Sequence, residues 1–251
     1  MLEGKTVLIT GASGGLGALV AEQLRAEGAR IVALGRSRPA GSIDQFLRHD
    51  LSTPEGIEAA AQAVADRPWD LLVNLAGAQH FGPVEQETPA QLVSGYLVNL
   101  VAPVRLAQAV APGMKARGSG QVVNIGSIFG SINFAHFATY SSAKAGLRGF
   151  SQALRRELAG TGVDVTYVAP RAVRTAMISE RVLEFAKLTQ MHIDPPEATA
   201  ARIVAAIKAR RRDVYLGFPE AFFVRLNALL PGLVDRALSA NDRKAARLFA
   251  R

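Results

Sequence analysis

The sequence predicts an α/β protein, a doubly wound parallel sheet of the Rossmann type with helices on both faces. Three observations carry this expectation. Apolar strand-like runs alternate with helical patterns almost from end to end, the order of a parallel sheet with crossover helices. The runs are continuous in Val, Ile and Leu rather than alternating, as in strands buried on both faces. A glycine-rich turn joins the first strand to the first helix, where α/β folds hold phosphates.

Taken in order, strands are expected at Thr6–Thr10, Arg30–Leu34, Leu71–Leu75, Gln121–Ile125, Asp164–Ala169 and Asp213–Leu216. Helical patterns fill the intervals at Leu16–Glu27, Pro54–Ala65, Pro89–Met114, Tyr140–Leu158 and Glu197–Ala209. No repeat, low-complexity linker or break in composition divides the chain, so residues 1–251 read as one domain. After Gly217 the rhythm changes. Phe222, Phe223, Leu226, Leu229, Leu230, Leu233, Val234 and Leu238 recur at roughly helical spacing, with Pro219 and Pro231 at helix starts. Residues 3–216 are thus the core, and 217–251 an appended amphipathic helical tail.

Composition narrows the function classes. Without a cysteine there is no disulfide, thiolate metal site or Cys nucleophile. His49, His80, His136 and His192 have no metal-ligand spacing, so no metal site is expected. The N-terminus lacks a secretory pattern and no uninterrupted apolar stretch reaches the ~18 residues of a spanning helix, so a cytoplasmic protein is expected. Net charge is +8, with basic residues concentrated in Lys208–Arg212 and Arg243–Arg251. No RNA-recognition motif, zinc finger or aromatic-interleaved basic patch accompanies them, so a solvated helix face is preferred to nucleic-acid binding.

The turn Thr10-Gly11-Ala12-Ser13-Gly14-Gly15-Leu16-Gly17 lets the backbone approach a pyrophosphate, with the following helix pointing unpaired N–H groups at it. No Gly-Lys-Ser/Thr ends the turn, which excludes the mononucleotide phosphate loop. After the second strand, where an NAD site carries an acidic residue, stand Gly35-Arg36-Ser37-Arg38. Arg36 with Ser37 suits a 2′-phosphate, which favours NADP(H) over NAD(H). Asp50, followed by Leu51, suits an adenine amino group.

The fourth of these expected strands ends in Asn124-Ile125-Gly126-Ser127, placing Ser127 at the sheet's carboxyl edge, where ligands bind. Thirteen residues on, Tyr140 and Lys144 stand four apart on a helix and share a face. A free tyrosine has a pKa of ~10; a neighbouring ammonium lowers it toward the range useful for acid–base chemistry. Ser127 would polarise a substrate oxygen.

With these motifs in this order, the sequence resembles the short-chain dehydrogenase/reductase family, in its compact single-domain, NADP(H)-preferring branch. The resemblance covers residues 3–216 and rests on the turn at Thr10–Gly17, Asp50, Asn74-Leu75-Ala76-Gly77, Asn99, Ser127 and the pair Tyr140/Lys144. It implies hydride transfer between NADP(H) and a carbonyl or alcohol, with Ser127, Tyr140, Lys144 and Asn99 as the catalytic set. It implies that Asn99 anchors a proton-relay water to Lys144, and that Lys144 also holds the nicotinamide ribose. It further implies that Asn74, Ala76 and Gly77 line the adenosine side and stabilise the central sheet, that Pro170, Val173 and Thr175 contact the carboxamide, and that the protein is a homo-oligomer through the helices at 89–114 and 140–158. The sequence departs from the family's pattern at Leu75, where a second asparagine is usual, and at Arg171, where glycine is usual. Arg171 is expected to bring a cation toward the active site.

Gln79, His80, Phe81, Phe129, Phe134, His136, Phe137 and the loop Ala176–Ile193 are candidate pocket residues, and their apolar character favours a small lipophilic substrate. His136 reads as a polar surface residue rather than a catalytic assistant. The tail has two readings: packing on its own or a partner subunit, which is preferred, or lying in a membrane interface beside Arg225, Arg236 and Arg243. Two alternatives to a carbonyl reductase stand. One is a 3-oxoacyl-thioester reductase, with Arg148, Arg155 and Arg156 receiving an acidic carrier. The other is a non-catalytic NADP(H) sensor, disfavoured because Ser127, Tyr140 and Lys144 are all present.

Overall fold

The structure is a computed structural model and describes residues 2–249. Seven parallel strands form one sheet in the order β3-β2-β1-β4-β5-β6-β7. They are β1 (Thr6–Thr10), β2 (Arg30–Gly35), β3 (Gln45–Arg48), β4 (Leu71–Asn74), β5 (Gly120–Ile125), β6 (Val163–Ala169) and β7 (Asp213–Tyr215). The helices are α1 (Gly15–Ala26), α2 (Pro54–Ala65), α3 (Pro89–Tyr96), α4 (Ala102–Ala116), α5 (Ala138–Glu157), α6 (Glu180–Thr189), α7 (Pro196–Lys208), α8 (Glu220–Leu229) and α9 (Pro231–Ala246). The doubly wound expectation holds, because the sheet is covered on both faces. One core packs α1 and α7 on β1, β4 and β6. The other packs α2 and α4 on the opposite side.

Two elements went unread in the sequence. β3 is a four-residue edge strand whose residues stay half-exposed, so it lacks the continuous apolar run that marks the interior strands. The Ser127 strand, fourth by sequence, is therefore the fifth in the chain. The stretch expected as a loop over 176–193 contains α6, capped by the Ser179 side chain on the Val182 N–H and burying Val182, Phe185 and Ala186. That serine followed by apolar residues at helical spacing was its signal.

The long helix expected from Pro89 is α3 and α4 joined by a π-helical turn at Leu97–Val101. Pro103 has no N–H for the carbonyl of Asn99, and the Ala102 N–H reaches Leu97 O instead. The helix is long and apolar enough to cross a membrane. Here it packs in the fold, with Leu106, Val110 and Met114 buried and Arg105 forked onto Glu58 of α2 at 2.9 and 3.0 Å.

The tail forms a helical arm, of which Ala250 and Arg251 lie outside the described residues. Val224 and Val234 pack on Ile128, Ile132 and Tyr167, and Ala245 packs with Phe129, Phe137 and Phe185.

Candidate active site

The carboxyl ends of β1, β2, β4, β5 and β6 open into one cleft of about 380 Å³. At one end lies the glycine turn. Gly11 has φ +77°, and a Cβ there would stand 2.7 Å from the Ala76 nitrogen. At Gly17 a Cβ would fall 2.1 Å from the Gly11 carbonyl. Only glycine brings α1 this close to the strand end. Gly14 caps α1 without a side-chain bond, and the first turn holds no acid. The first-turn N–H groups have no intrahelical acceptors and face the cleft, a cradle that fits a dinucleotide's pyrophosphate.

Arg36 and Ser37 lie on the same wall at the end of β2. Arg36 Nε is 4.0 Å from Asp50 Oδ1. Asp50 also accepts from the Ser52 hydroxyl at 2.6 Å and the Ser52 N–H at 2.9 Å. Those Ser52 bonds first, and Arg36 less, hold its carboxyl below the ordinary carboxylate range. Arg36 is thus close to Asp50 but exposed, with its guanidinium free to meet an anion.

At the other end of the cleft stand Ser127, Tyr140 and Lys144. Ser127 ends the strand extension of β5 and accepts from the Phe129 N–H at 3.1 Å, which leaves its own O–H to donate. Gly130 lets that turn lie against α5: a Cβ there would be 2.6 Å from the Lys144 carbonyl carbon. Lys144 donates to Ile125 O at 3.0 Å, and its Nζ sits 5.8 Å from the Tyr140 ring centre. Burial lowers the Lys144 pKa to about 8. Burial also raises that of the Tyr140 phenol, opposed by hydrogen bonding with Ser127. This corrects the expectation of a Tyr140 lowered by the ammonium: desolvation is the larger effect on the phenol.

Asn99 lies beneath this end, fully buried, donating to Ala78 O at 2.6 Å and Gly95 O at 2.8 Å. Its Oδ1 accepts from the Ala78 N–H at 3.3 Å. It sits at the π-helical turn, a distortion common at functional sites.

Of the residues expected to contact the cofactor, Asn74 alone is off the cleft wall. Its amide is buried and donates to Asn124 Oδ1 at 2.8 Å, so of its two expected roles it has the bracing of the sheet and not the cofactor contact. Asn124 continues to the Ser151 hydroxyl at 2.9 Å, which donates to Leu147 O at 2.7 Å. The sequence reading missed this buried polar chain, which ties β4 and β5 to α5. A single asparagine near the end of each of two apolar strands was its only signal.

On the substrate side Gln79, Phe129, Phe137, Met177, Ile178, Val182 and Met191 line the cleft. His80, Phe81, Phe134 and His136 do not. Phe81 stacks on Phe137 at 4.7 Å and Phe134 on Phe129 at 4.5 Å, forming a layer behind the wall. His136 packs on Phe249 at 4.6 Å, and burial holds its pKa below the ordinary value.

Arg171 also departs from expectation. It turns from the cleft, with Nε and Nη2 on Asp194 at 2.9 and 2.7 Å and Nη1 on Glu220 of α8 at 3.0 Å. Gly217, at φ +107°, makes the room: a Cβ there would stand 2.8 Å from the Arg171 side chain. Arg155 and Arg156 lie about four helical turns from Tyr140 along α5, and Arg155 pairs with Asp213 at 2.9 Å. They are not at the mouth.

Comparison with known proteins agrees with this arrangement. The family model described as short chain dehydrogenase matches residues 5–184. Ketoacyl reductase HetN of Nostoc sp. is 35% identical over 85% of this chain and 78% of its own length. 3-Oxoacyl-[acyl-carrier-protein] reductase FabG of Vibrio cholerae is 31% identical over 89% and 93%. A short-chain dehydrogenase from Sphingobium yanoikuyae, solved in complex with NADPH, superposes with a TM-score of 0.78 at 27% identity, over 92% of this chain and 95% of that one. The chain belongs to the short-chain dehydrogenase family of oxidoreductases.

Proposed function

We propose that the protein is an NADP(H)-dependent oxidoreductase that interconverts a carbonyl and an alcohol on a small, largely apolar substrate. The carrying observation is that Ser127, Tyr140 and Lys144 share one cleft with the glycine turn, Arg36 and Ser37. Arg36 and Ser37 would hold the 2′-phosphate, Asp50 and Leu51 the adenine, and the turn from Gly11 to Gly17, Ser13 included, the pyrophosphate. Ala76 and Gly77 would lie along the adenosine side, and Pro170, Val173 and Thr175 would meet the carboxamide. A nicotinamide dinucleotide bound there supplies or accepts the hydride.

In the reducing direction the Ser127 hydroxyl donates to the carbonyl oxygen and holds it beside Tyr140. The Tyr140 phenol, kept neutral by burial, gives its proton to that oxygen as the carbon is reduced. With a pKa of about 8, Lys144 is mostly an ammonium at neutral pH. It stabilises the phenolate left behind and delivers a proton for the next cycle. Asn99 orders the backbone at Ala78 and Gly95 on the route from Lys144 outward.

A second reading, 3-oxoacyl-thioester reduction, draws on the relatives named as ketoacyl and 3-oxoacyl reductases; it does not draw on Arg155 and Arg156. Exposed Leu92, Val93 and Val101 on the long helix support homo-oligomerisation there.

The test is a fluorescence titration with NADPH and NADH, then turnover of lipophilic ketones and short 3-oxoacyl thioesters. Tighter NADPH binding and ketone reduction are expected. Preference for thioesters selects the second reading, and absence of hydride transfer to either class overturns both.

A further inference from the structure

We propose that the outer face of the α8–α9 arm docks on an anionic phospholipid surface. The arm has two unlike faces. Its inner face is fixed: Val224 and Val234 are buried, Asn227 donates to Ser131 O at 2.8 Å, and Glu220 pairs with Arg171. Its outer face is apolar and open. Phe218 is 81% exposed, Phe222 53%, Leu229 79%, Leu230 54% and Leu233 54%. Packing on the subunit's own surface therefore accounts for only half of the tail's apolar residues.

Leu229, Leu230 and Leu233 gather at the corner where α8 ends at Leu229 and α9 begins at Pro231, and Phe222 and Phe218 continue the strip back along α8 to its start and just beyond it. Taking ~200 Å² for a large side chain, they present on the order of 600 Å². That is a patch at the upper limit for a monomer surface, yet short of the ~800 Å² per partner of a stable protein interface.

The charge of the arm as a whole fits the same occupant. Between residues 217 and 249, Arg225, Arg236, Arg243, Lys244 and Arg247 are exposed cations, against one exposed carboxylate, Asp235. Arg225 and Arg236 each lie three residues after an exposed apolar residue, Phe222 and Leu233, on the same helical faces. Apolar residues flanked by cations are the pattern of a helix lying on an anionic bilayer surface. The arm also borders the substrate side, since α8 packs on the turn after Ser127 and α9 on α6.

The test is flotation of the full-length protein with phosphatidylcholine vesicles, alone or containing phosphatidylglycerol, and light scattering without vesicles. The wild type should float with the phosphatidylglycerol vesicles and be released by salt. Leu229→Ser with Leu230→Ser should weaken binding by on the order of tenfold or more, and Arg225→Gln with Arg236→Gln should remove the preference for anionic lipid. Unchanged thermal unfolding and NADPH titration show that the variants fold. No flotation of the wild type, or equal flotation of the serine variant, overturns the proposal. So does a loss of oligomer mass in the serine variant when the wild type does not float, which would assign the corner to a second copy.

Discussion

Replacing Arg171 by alanine tests the neck of the segment that covers the substrate side. The chain leaves β6 at Ala169, passes Ala172–Arg174, makes the excursion that contains α6, and returns at Asp194. The neck is closed by the backbone bonds Arg174 N–H to Asp194 O at 3.0 Å and Asp194 N–H to Ala172 O at 2.8 Å. The Arg171 fork on Asp194 locks it, and the contact with Glu220 ties it to the arm. The three side chains are only 16%, 17% and 21% exposed. Alanine would remove three hydrogen bonds to carboxylates and a longer one to the Phe218 carbonyl, and leave two carboxylates facing each other. Breaking a fully buried pair costs about 3–5 kcal/mol. Here the remaining solvent access lets Asp194 and Glu220 rehydrate in part, so the expected loss is about 2–3 kcal/mol. In a chain of this size that lowers the Tm by roughly 5–10 °C. Because Thr175, Met177, Val182 and Met191 on the excursion line the cleft, KM for substrate should rise more than kcat falls, while NADPH still binds. Arg171→Lys should recover less than half of the stability, since an ammonium cannot make the fork. Thermal unfolding and steady-state kinetics read both effects. A variant that melts with the wild type and keeps its KM would refute the role of the clasp.

Three further outcomes are expected. Tyr140→Phe should lower kcat by roughly 10²–10⁴-fold with NADPH affinity near that of the wild type; retained turnover would remove Tyr140 as the proton donor. Arg36→Asp should weaken NADPH by about 10–100-fold, the value of a charge-assisted contact, and improve NADH; an unchanged ratio in paired titrations would sink the phosphate assignment. For Lys144, burial lowers the folded pKa from 10.5 to about 8, so between these values the unfolded chain binds more protons than the folded one. Stability of the ligand-free protein should then rise with pH across that window relative to Lys144→Met. Parallel unfolding curves for the two proteins over that range would show that Lys144 is not desolvated as described.

The sequence made legible what is periodic or local. The interior strands came through because burial on both faces demands continuous apolar residues, and the glycine turn because its residues are contiguous. β3 stayed hidden because an edge strand with half-exposed residues need not be apolar. The direction of Arg171 could not be read either. Its partners, Asp194 and Glu220, lie 23 and 49 residues away, and only the folded chain brings them together. The tail was legible as amphipathic, but not which of its apolar residues turn inward. Phe222 and Val224 are two residues apart and face opposite ways.

The approach of Ser127 to Tyr140 and Lys144 shows why a motif is not yet a site. Spacing on α5 fixes Tyr140 relative to Lys144, but nothing in either motif fixes α5 relative to β5. That register is set from beneath by the bonds from Asn74 to Asn124 and from Asn124 to Ser151, and from above by Gly130 against the Lys144 backbone. Each bond of the chain is buried, so shifting α5 by one turn would strand polar groups out of water at a cost of about 1–3 kcal/mol each. The geometry of the candidate centre therefore depends on residues that never touch the cleft. Asn124 and Ser151 are positioning residues for Tyr140 and Lys144 in the same sense that Arg171 is for the excursion over the substrate.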